Sequence, residues 1–179
     1  MSQSGRLRNA EEVRAALGQA APAVRRYLFG MCGDWHEAED LAQDALLKAW
    51  GKRDTFDGRA DVKTWIFRIA RNHWLDRLRR RRVRPTEQSM TADTRISSSA
   101  SQPLQAAARG ELAAAIEQAL GRLPAEQREA LALRESGGMT FGQIAGLLRV
   151  PAATVKSRVR YALLKLADEL APFRAELES

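Results

Sequence analysis

The chain has 179 residues, 45% of them hydrophobic and 28% charged, a balance that suits one ordinary folded domain or two small ones and excludes a disordered tail. With 29 Lys and Arg against 22 Asp and Glu the net charge is +7, which points to a polyanionic partner, either nucleic acid or an anionic membrane surface. No apolar run approaches the roughly 18 to 20 residues that span a bilayer, and the opening MSQSGRLRNAEEV lacks a signal peptide's apolar segment, so a cytoplasmic protein without membrane insertion is expected.

Cys32 is the only cysteine, which excludes an internal disulfide and a cysteine-rich zinc site. Cys32 and His36 are four apart and His73 is the only other histidine. Gly33 and Asp34 interrupt the helix between the first two, so Cys32 is read as a small buried residue, with no metal and no cofactor expected. Two His, one Cys and no Gly-rich phosphate loop give no coherent catalytic set, and an enzyme is not expected.

A helical pattern begins at Asn9, a candidate cap with Glu12 in the matching position. Val13, Ala16, Leu17 and Ala20 form its apolar stripe. Pro22 is expected to restart the helix, and Ala23, Val24, Tyr27, Leu28 and Met31 continue a buried side until Gly33 stops it. Asp34 then caps a further helix, with Glu37 at the capping-box position and Trp35, Ala38, Leu41, Ala42, Ala45, Ala49 and Trp50 on its buried side. The exposed side is acidic. Between Tyr27 and Leu47 there is no Lys or Arg, whereas Asp34, Glu37, Glu39, Asp40 and Asp44 all fall there. Charge alone leaves two readings open. Acids near a helix N-terminus complement its dipole, which accounts for Asp34 and Glu37, while a surface that docks a basic protein accounts for Asp40 and Asp44.

A loop follows from Thr55 to Asp61, in which Gly58 is free to take unusual backbone angles. Asp61 caps a long helix reaching about Arg82. Val62, Trp65, Ile66, Phe67, Ile69, Ala70, Trp74 and Leu78 give it an apolar face, and Thr64, Arg68, Arg71, Asn72 and Arg79 a polar one. Six Arg lie between positions 77 and 84. The helix dipole favours two or three cations at a C-terminus, and phosphate contact accounts for the remainder. Aromatic and basic residues placed together here suit unpaired bases, and a base drawn out of a duplex would enter the Phe56–Asp61 loop.

From Pro85 the helical period disappears, and eight of the 20 residues from Thr86 to Gln105 are Ser or Thr. A flexible linker is predicted there. A second unit opens at about Glu111, with Leu112, Ile116, Ala119 and Leu120 on one face and Gly121 ending the helix. Pro124 starts the next, which carries Ala130, Leu131 and Leu133 to the Ser136-Gly137-Gly138 turn. Thr140 and Gln143 then have capping-box spacing ahead of Ile144, Ala145, Leu147 and Leu148, and Pro151 sets the start of a last helix at Ala152. In that helix Val155, Val159, Ala162, Leu163, Leu166 and Leu170 share a stripe. Lys156, Ser157 and Arg160 lie on an exposed strip, with Thr154, Arg158, Tyr161 and Lys165 beside it. A solvated basic face would explain the charge, but a capped helix, tight turn and second helix together favour DNA in a major groove. The tail from 171 is expected to fray at Pro172.

The segments AEDLAQDALLKAW (38–50), TFDGRADVKTWIFRIARNHWLDRLRR (55–80), LPAEQREALAL (123–133) and MTFGQIAGLLRVPAATVKSRVRYALLKL (139–166) together resemble the extracytoplasmic function (ECF) class of bacterial sigma factors, in order and over nearly all of both units. The resemblance implies an all-α fold of two small helical domains joined by a flexible linker, the second ending in a helix-turn-helix. The boundaries are then 9–84, a linker at 85–110, 111–170, and a tail at 171–179. It implies docking on core RNA polymerase through Asp40, Gln43 and Asp44. It implies recognition and opening of the promoter −10 element by Phe56, Asp57, Gly58, Arg59, Ala60, Lys63, Trp65, Arg68 and Asn72. Arg77, Arg79, Arg80 and Arg81 would contact phosphates, and Thr154, Lys156, Ser157, Arg158, Arg160 and Tyr161 would read the −35 element. An anti-sigma factor is a common partner of the family, and no obligate homo-oligomer is expected. The family often has Gly where Ala153 stands, a change that favours the helix. Two alternatives remain, a sigma-like decoy that only binds an anti-sigma protein and a free-standing helix-turn-helix regulator. The first has no need of the basic clusters, and the second usually needs a dimerisation helix that is not evident.

Overall fold

A computed structural model of the chain describes residues 3–83 and 105–173, and every regular element among them is helical. The first unit holds α1 (Gln3–Cys32), α2 (Trp35–Gly51), a 3₁₀ turn at Arg53–Thr55, and α3 (Val62–Val83). The second holds α4 (Gln105–Arg122), α5 (Ala125–Glu135), α6 (Phe141–Leu148) and α7 (Ala152–Glu169).

Helix α1 begins before Asn9 and runs unbroken through Pro22, so neither the cap at Asn9 nor the restart at Pro22 occurs. Pro22 removes one backbone bond and crowds the carbonyl four residues back, that of Gly18. Both residues are exposed, where water serves the freed carbonyl, and nothing packs against Gly18. The stripe of Val13, Ala20, Val24, Tyr27, Leu28 and Met31 is buried on both sides of the proline and holds the helix as one piece. Gly33, at φ 74°, then ends it with its N–H on the Phe29 carbonyl at 2.7 Å.

The predicted caps on α2 and α3 form. Asp34 Oδ1 accepts from the Glu37 N–H at 2.7 Å, and Asp61 Oδ2 from the Thr64 N–H at 3.2 Å. Thr64 itself is buried rather than part of the polar face, its hydroxyl 3.4 Å from Asp61 Oδ2. Two tryptophans expected in the interior stand at the surface: Trp35 stacks on Phe29 with centroids 3.9 Å apart, and Trp50 lies under the Arg53 guanidinium at 4.5 Å. Both stand near the ends of α2.

Helix α4 starts at Gln105, inside the predicted linker, and continues through Gly121. The rest of that linker, 85–104, lies outside the described residues, as does the tail from 174. Between α5 and α6 a Cβ on Gly137 would sit 2.4 Å from the Leu133 carbonyl oxygen, and Gly138 has φ 58°, so the turn accepts little but glycine. Helices α1, α2 and α3 pack mutually, α7 packs on α5, α6 and α4, and α5 lies against α1. The buried side chains of both units therefore form one continuous apolar cluster, from Ala20 and Val24 through Phe67 to Leu133, Ile144 and Val159.

Candidate functional site

The helix-turn-helix forms as its sequence predicts. Thr140 accepts from the Gln143 N–H at 3.2 Å while the Gln143 side chain accepts from the Thr140 N–H at 2.8 Å, a reciprocal capping box. Arg149 ends α6 in the left-handed region at φ 58°, ψ 45°, a conformation that no glycine or asparagine announces here. Pro151 starts α7. Val155, Val159 and Ala162 are buried and fix its rotation, so Lys156, Ser157, Arg160 and Tyr161 face solvent, with Thr154 and Arg158 partly covered. Ser157 Oγ donates to the Thr154 carbonyl at 2.9 Å, and Arg158 is ion-paired with Glu126 of α5. Leu163, expected in the stripe, is 49% exposed, because it sits at the stripe's edge, while Leu166 one turn on still packs against the core.

In the first unit the 56–61 loop is held by the Phe56 ring, which is only 4% exposed and lies 5.4 Å from the Trp65 ring. Phe56 therefore anchors the loop from below, buried against Trp65. Asp57, Gly58 and Arg59 are exposed and Ala60 partly so. Gly58 has φ 71°, and Asp57 Oδ1 accepts from the Arg59 N–H at 3.1 Å. Arg68 and Asn72 stand exposed on α3, with Lys63 and Trp65 half-buried beside them.

The arginines ending α3 are more occupied than their number suggests. Arg77 and Arg81 both pair with Glu37 of α2, and Arg79 pairs with Asp76 at 2.6 Å. Of Arg77, Arg79, Arg80 and Arg81, Arg80 alone has no carboxylate partner among the described residues. The two pairings with Glu37 thus tie α3 to α2 as well as balancing charge, which a count of arginines cannot reveal.

Asp40, Gln43 and Asp44 form an exposed strip along α2, and Leu47, 69% exposed, extends it by one turn. Leu47 was not singled out from the sequence, although a leucine off the buried stripe was a usable signal. Behind Asp44 sits His73, buried on α3. Lys48 Nζ lies 2.5 Å from His73 Nδ1, and Asp44 Oδ2 lies 3.4 Å from Nε2. Burial first, then the Lys48 charge, lower the imidazole pKa against the opposing pull of Asp44. Neutral His73 accepting from Lys48 must carry its proton on Nε2, facing Asp44.

A set of polar contacts joins the two units. Glu129 of α5 accepts from Arg71 Nε at 2.8 Å and Nη2 at 3.3 Å, and from the Tyr27 hydroxyl at 3.1 Å. Gly30 packs on Ala132 nearby. Burial, then the Glu129 charge, raises the Tyr27 pKa well above its ordinary value. Cys32 is pushed up to about 11 mainly by burial, so its thiol stays protonated. Among the described residues no three His, Cys, Asp or Glu side chains converge as a metal site would require.

A helix-turn-helix with an exposed basic reading face, joined to a helical unit with a basic helix and an acidic strip, defines a DNA-binding transcription protein. Models of two families match the chain, sigma-70 region 2 over residues 17–84 and sigma-70 region 4 over residues 113–166. The ECF RNA polymerase sigma factor SigW of Bacillus subtilis is 33% identical over 158 residues, 82% of this chain and 84% of its own. The ECF RNA polymerase sigma factor RpoE of Cereibacter sphaeroides is 33% identical over 152 residues, 84% and 81% of the two chains. The sigma factor RpoE of Bartonella quintana, solved with the anti-sigma factor NepR, superposes with a TM-score of 0.71 at 30% identity over 90% of this chain and 98% of that one. CnrH, solved with the cytosolic domain of CnrY, gives 0.62 at 26% identity over 93% and 95%. The chain belongs to the ECF RNA polymerase sigma factors.

Proposed function

We propose that the two units divide promoter recognition between them, residues 9–84 holding core polymerase and the −10 element and residues 111–170 the −35 element. The observation that carries this reading is the coexistence, on one chain, of the exposed Asp40-Gln43-Asp44 strip and the exposed Lys156-Ser157-Arg160 strip. The acidic strip suits a basic polymerase surface and would be repelled by DNA. On α7, Lys156, Arg158 and Arg160 meet phosphates and guanine edges, while Thr154, Ser157 and Tyr161 supply neutral contacts. Arg160 and Tyr161, both exposed on α7, set which −35 sequence is preferred.

At the −10 element the exposed Asp57-Gly58-Arg59-Ala60 backbone receives an extruded base, with Phe56 fixing the loop from below. Lys63, Arg68 and Asn72 follow the displaced strand along α3, with Trp65 at its edge, and Arg80 with its neighbours Arg77, Arg79 and Arg81 continues the phosphate path. Unstacking a base costs a few kcal/mol, offset by loop contacts and phosphate neutralisation. No step needs a catalytic residue of this chain, and the protein works in the cytoplasm beside polymerase. The solved relative bound to the anti-sigma factor NepR supports an anti-sigma partner here too.

Run-off transcription with purified bacterial core polymerase on genomic fragments tests the reading. A promoter-dependent product is expected. Its absence with active core would move the assignment to a decoy that binds only an anti-sigma protein.

A further inference from the structure

Along α3 the side chains assigned to the displaced strand leave a gap. At about 100° per residue, Arg71 falls about 80° round the helix from Lys63 and about 60° from Arg68, so it lies between them. A guanidinium there would add a cation beside Arg68 and Asn72, at the edge of the buried side of α3 that carries Phe67 and Thr64. It is withheld instead. Glu129 of the second unit binds Arg71 through both carboxylate oxygens, at 2.8 and 3.3 Å, and is steadied by the Tyr27 hydroxyl at 3.1 Å. The pair is largely shielded, with side-chain exposures of 23% for Arg71 and 15% for Glu129. The same unit reaches α3 a second time where Lys63 Nζ lies against Gly138.

A carboxylate gripping a guanidinium with two parallel bonds has the geometry with which a phosphate grips it. We propose that Arg71 is a further backbone-phosphate contact of the α3 face, and that Glu129 occupies it as a phosphate mimic while the two units are packed together. Single-stranded nucleic acid and Glu129 then compete for one side chain. Engagement of the strand at Arg71 and closure of α5 on α1 exclude each other, so separating the units exposes an additional cation. This rests on the reading of α3 as the −10 face.

The test uses the full chain and fluorescein-labelled oligo-dT, whose binding reports phosphate contacts without needing the promoter sequence. Glu129→Gln keeps the shape and the tyrosine contact but removes the charge. It should tighten oligo-dT binding about fivefold and steepen the salt dependence by about one phosphate. Arg71→Ala should change the parent's affinity by less than about twofold yet cancel the gain in the E129Q background. Glu135→Gln, on the exposed side of the same helix, removes an equal charge and should give no such gain. The proposal is overturned by an E135Q gain matching that of E129Q, by a gain that survives R71A, or by R71A weakening the parent about fivefold. Arg68→Ala separates the two layers: if it leaves oligo-dT binding unchanged while the E129Q–R71A coupling stands, the −10 reading of α3 fails and the exchange at Arg71 does not. If E129Q lowers the thermal midpoint below the assay temperature, Glu129→Asp, whose shorter side chain loses reach, is judged by the same criteria.

Discussion

His73 and Thr140 show how single side chains set stability in this protein. The His73 imidazole is held neutral by burial and by Lys48. A base whose folded pKa lies below its unfolded value binds fewer protons in the folded state. Its contribution is then fully present above the ordinary value of 6.5 and is lost as the pH falls through the lowered folded value. We expect the thermal midpoint to drop between about pH 7.5 and about pH 5.5, by more than in a His73→Gln variant. Equal slopes in the two proteins would refute the assignment. Thr140→Ala breaks the capping box on α6 and should cost about 1 kcal/mol in a denaturant titration. These two residues were unequally legible. Thr140 and Gln143 sit three apart and their bond is local, so spacing alone revealed it. His73 meets Lys48 and Asp44 from 25 and 29 positions earlier, and nothing in its own neighbourhood announces them.

At the scale of the element, helix rotation decides which residues are available. Three buried residues, Val155, Val159 and Ala162, turn Lys156 and Arg160 outward on α7. Lys156→Ala with Arg160→Ala should leave the helix intact, weaken binding of the holoenzyme to −35 duplex and lower the salt slope by about two, while core polymerase binding persists. An unchanged slope would show that the two cations do not meet phosphates. The turn before α6 makes a different demand. Gly137→Ala places a Cβ against backbone, the Leu133 carbonyl oxygen, so it should destabilise the second unit by more than about 1 kcal/mol, read as a lower thermal midpoint. Periodicity predicted these helices well because a repeat of three and four residues is a property of contiguous sequence. It misjudged their ends and edges. Trp35, Trp50 and Leu163 lie at the edges of their apolar stripes and stand exposed, and Pro22 is tolerated because the packed stripe continues past it.

Over the whole molecule, charge is segregated so that one basic chain carries an acidic strip, the surface proposed to dock polymerase. Asp40→Ala with Asp44→Ala should abolish co-purification with core polymerase and leave oligo-dT binding intact or slightly tighter. Loss of both activities together would indicate misfolding, checked by the thermal midpoint. Two helical units, the second ending in a helix-turn-helix, were legible, because caps, breakers, apolar spacing and net charge are written in neighbouring residues. Which cations are free was not. Arg77 and Arg81 looked equivalent to Arg80 until packing brought Glu37 across from α2, whereas the Arg79–Asp76 pair is a local i,i+3 contact. Nor did any pattern join Arg71 to Glu129, 58 positions apart, or place α5 on α1. Short-range chemistry specifies each helix and the face it presents. The partners of a buried charge depend on how the helices meet, since apolar burial, which drives that meeting, is non-directional and does not encode its own contacts.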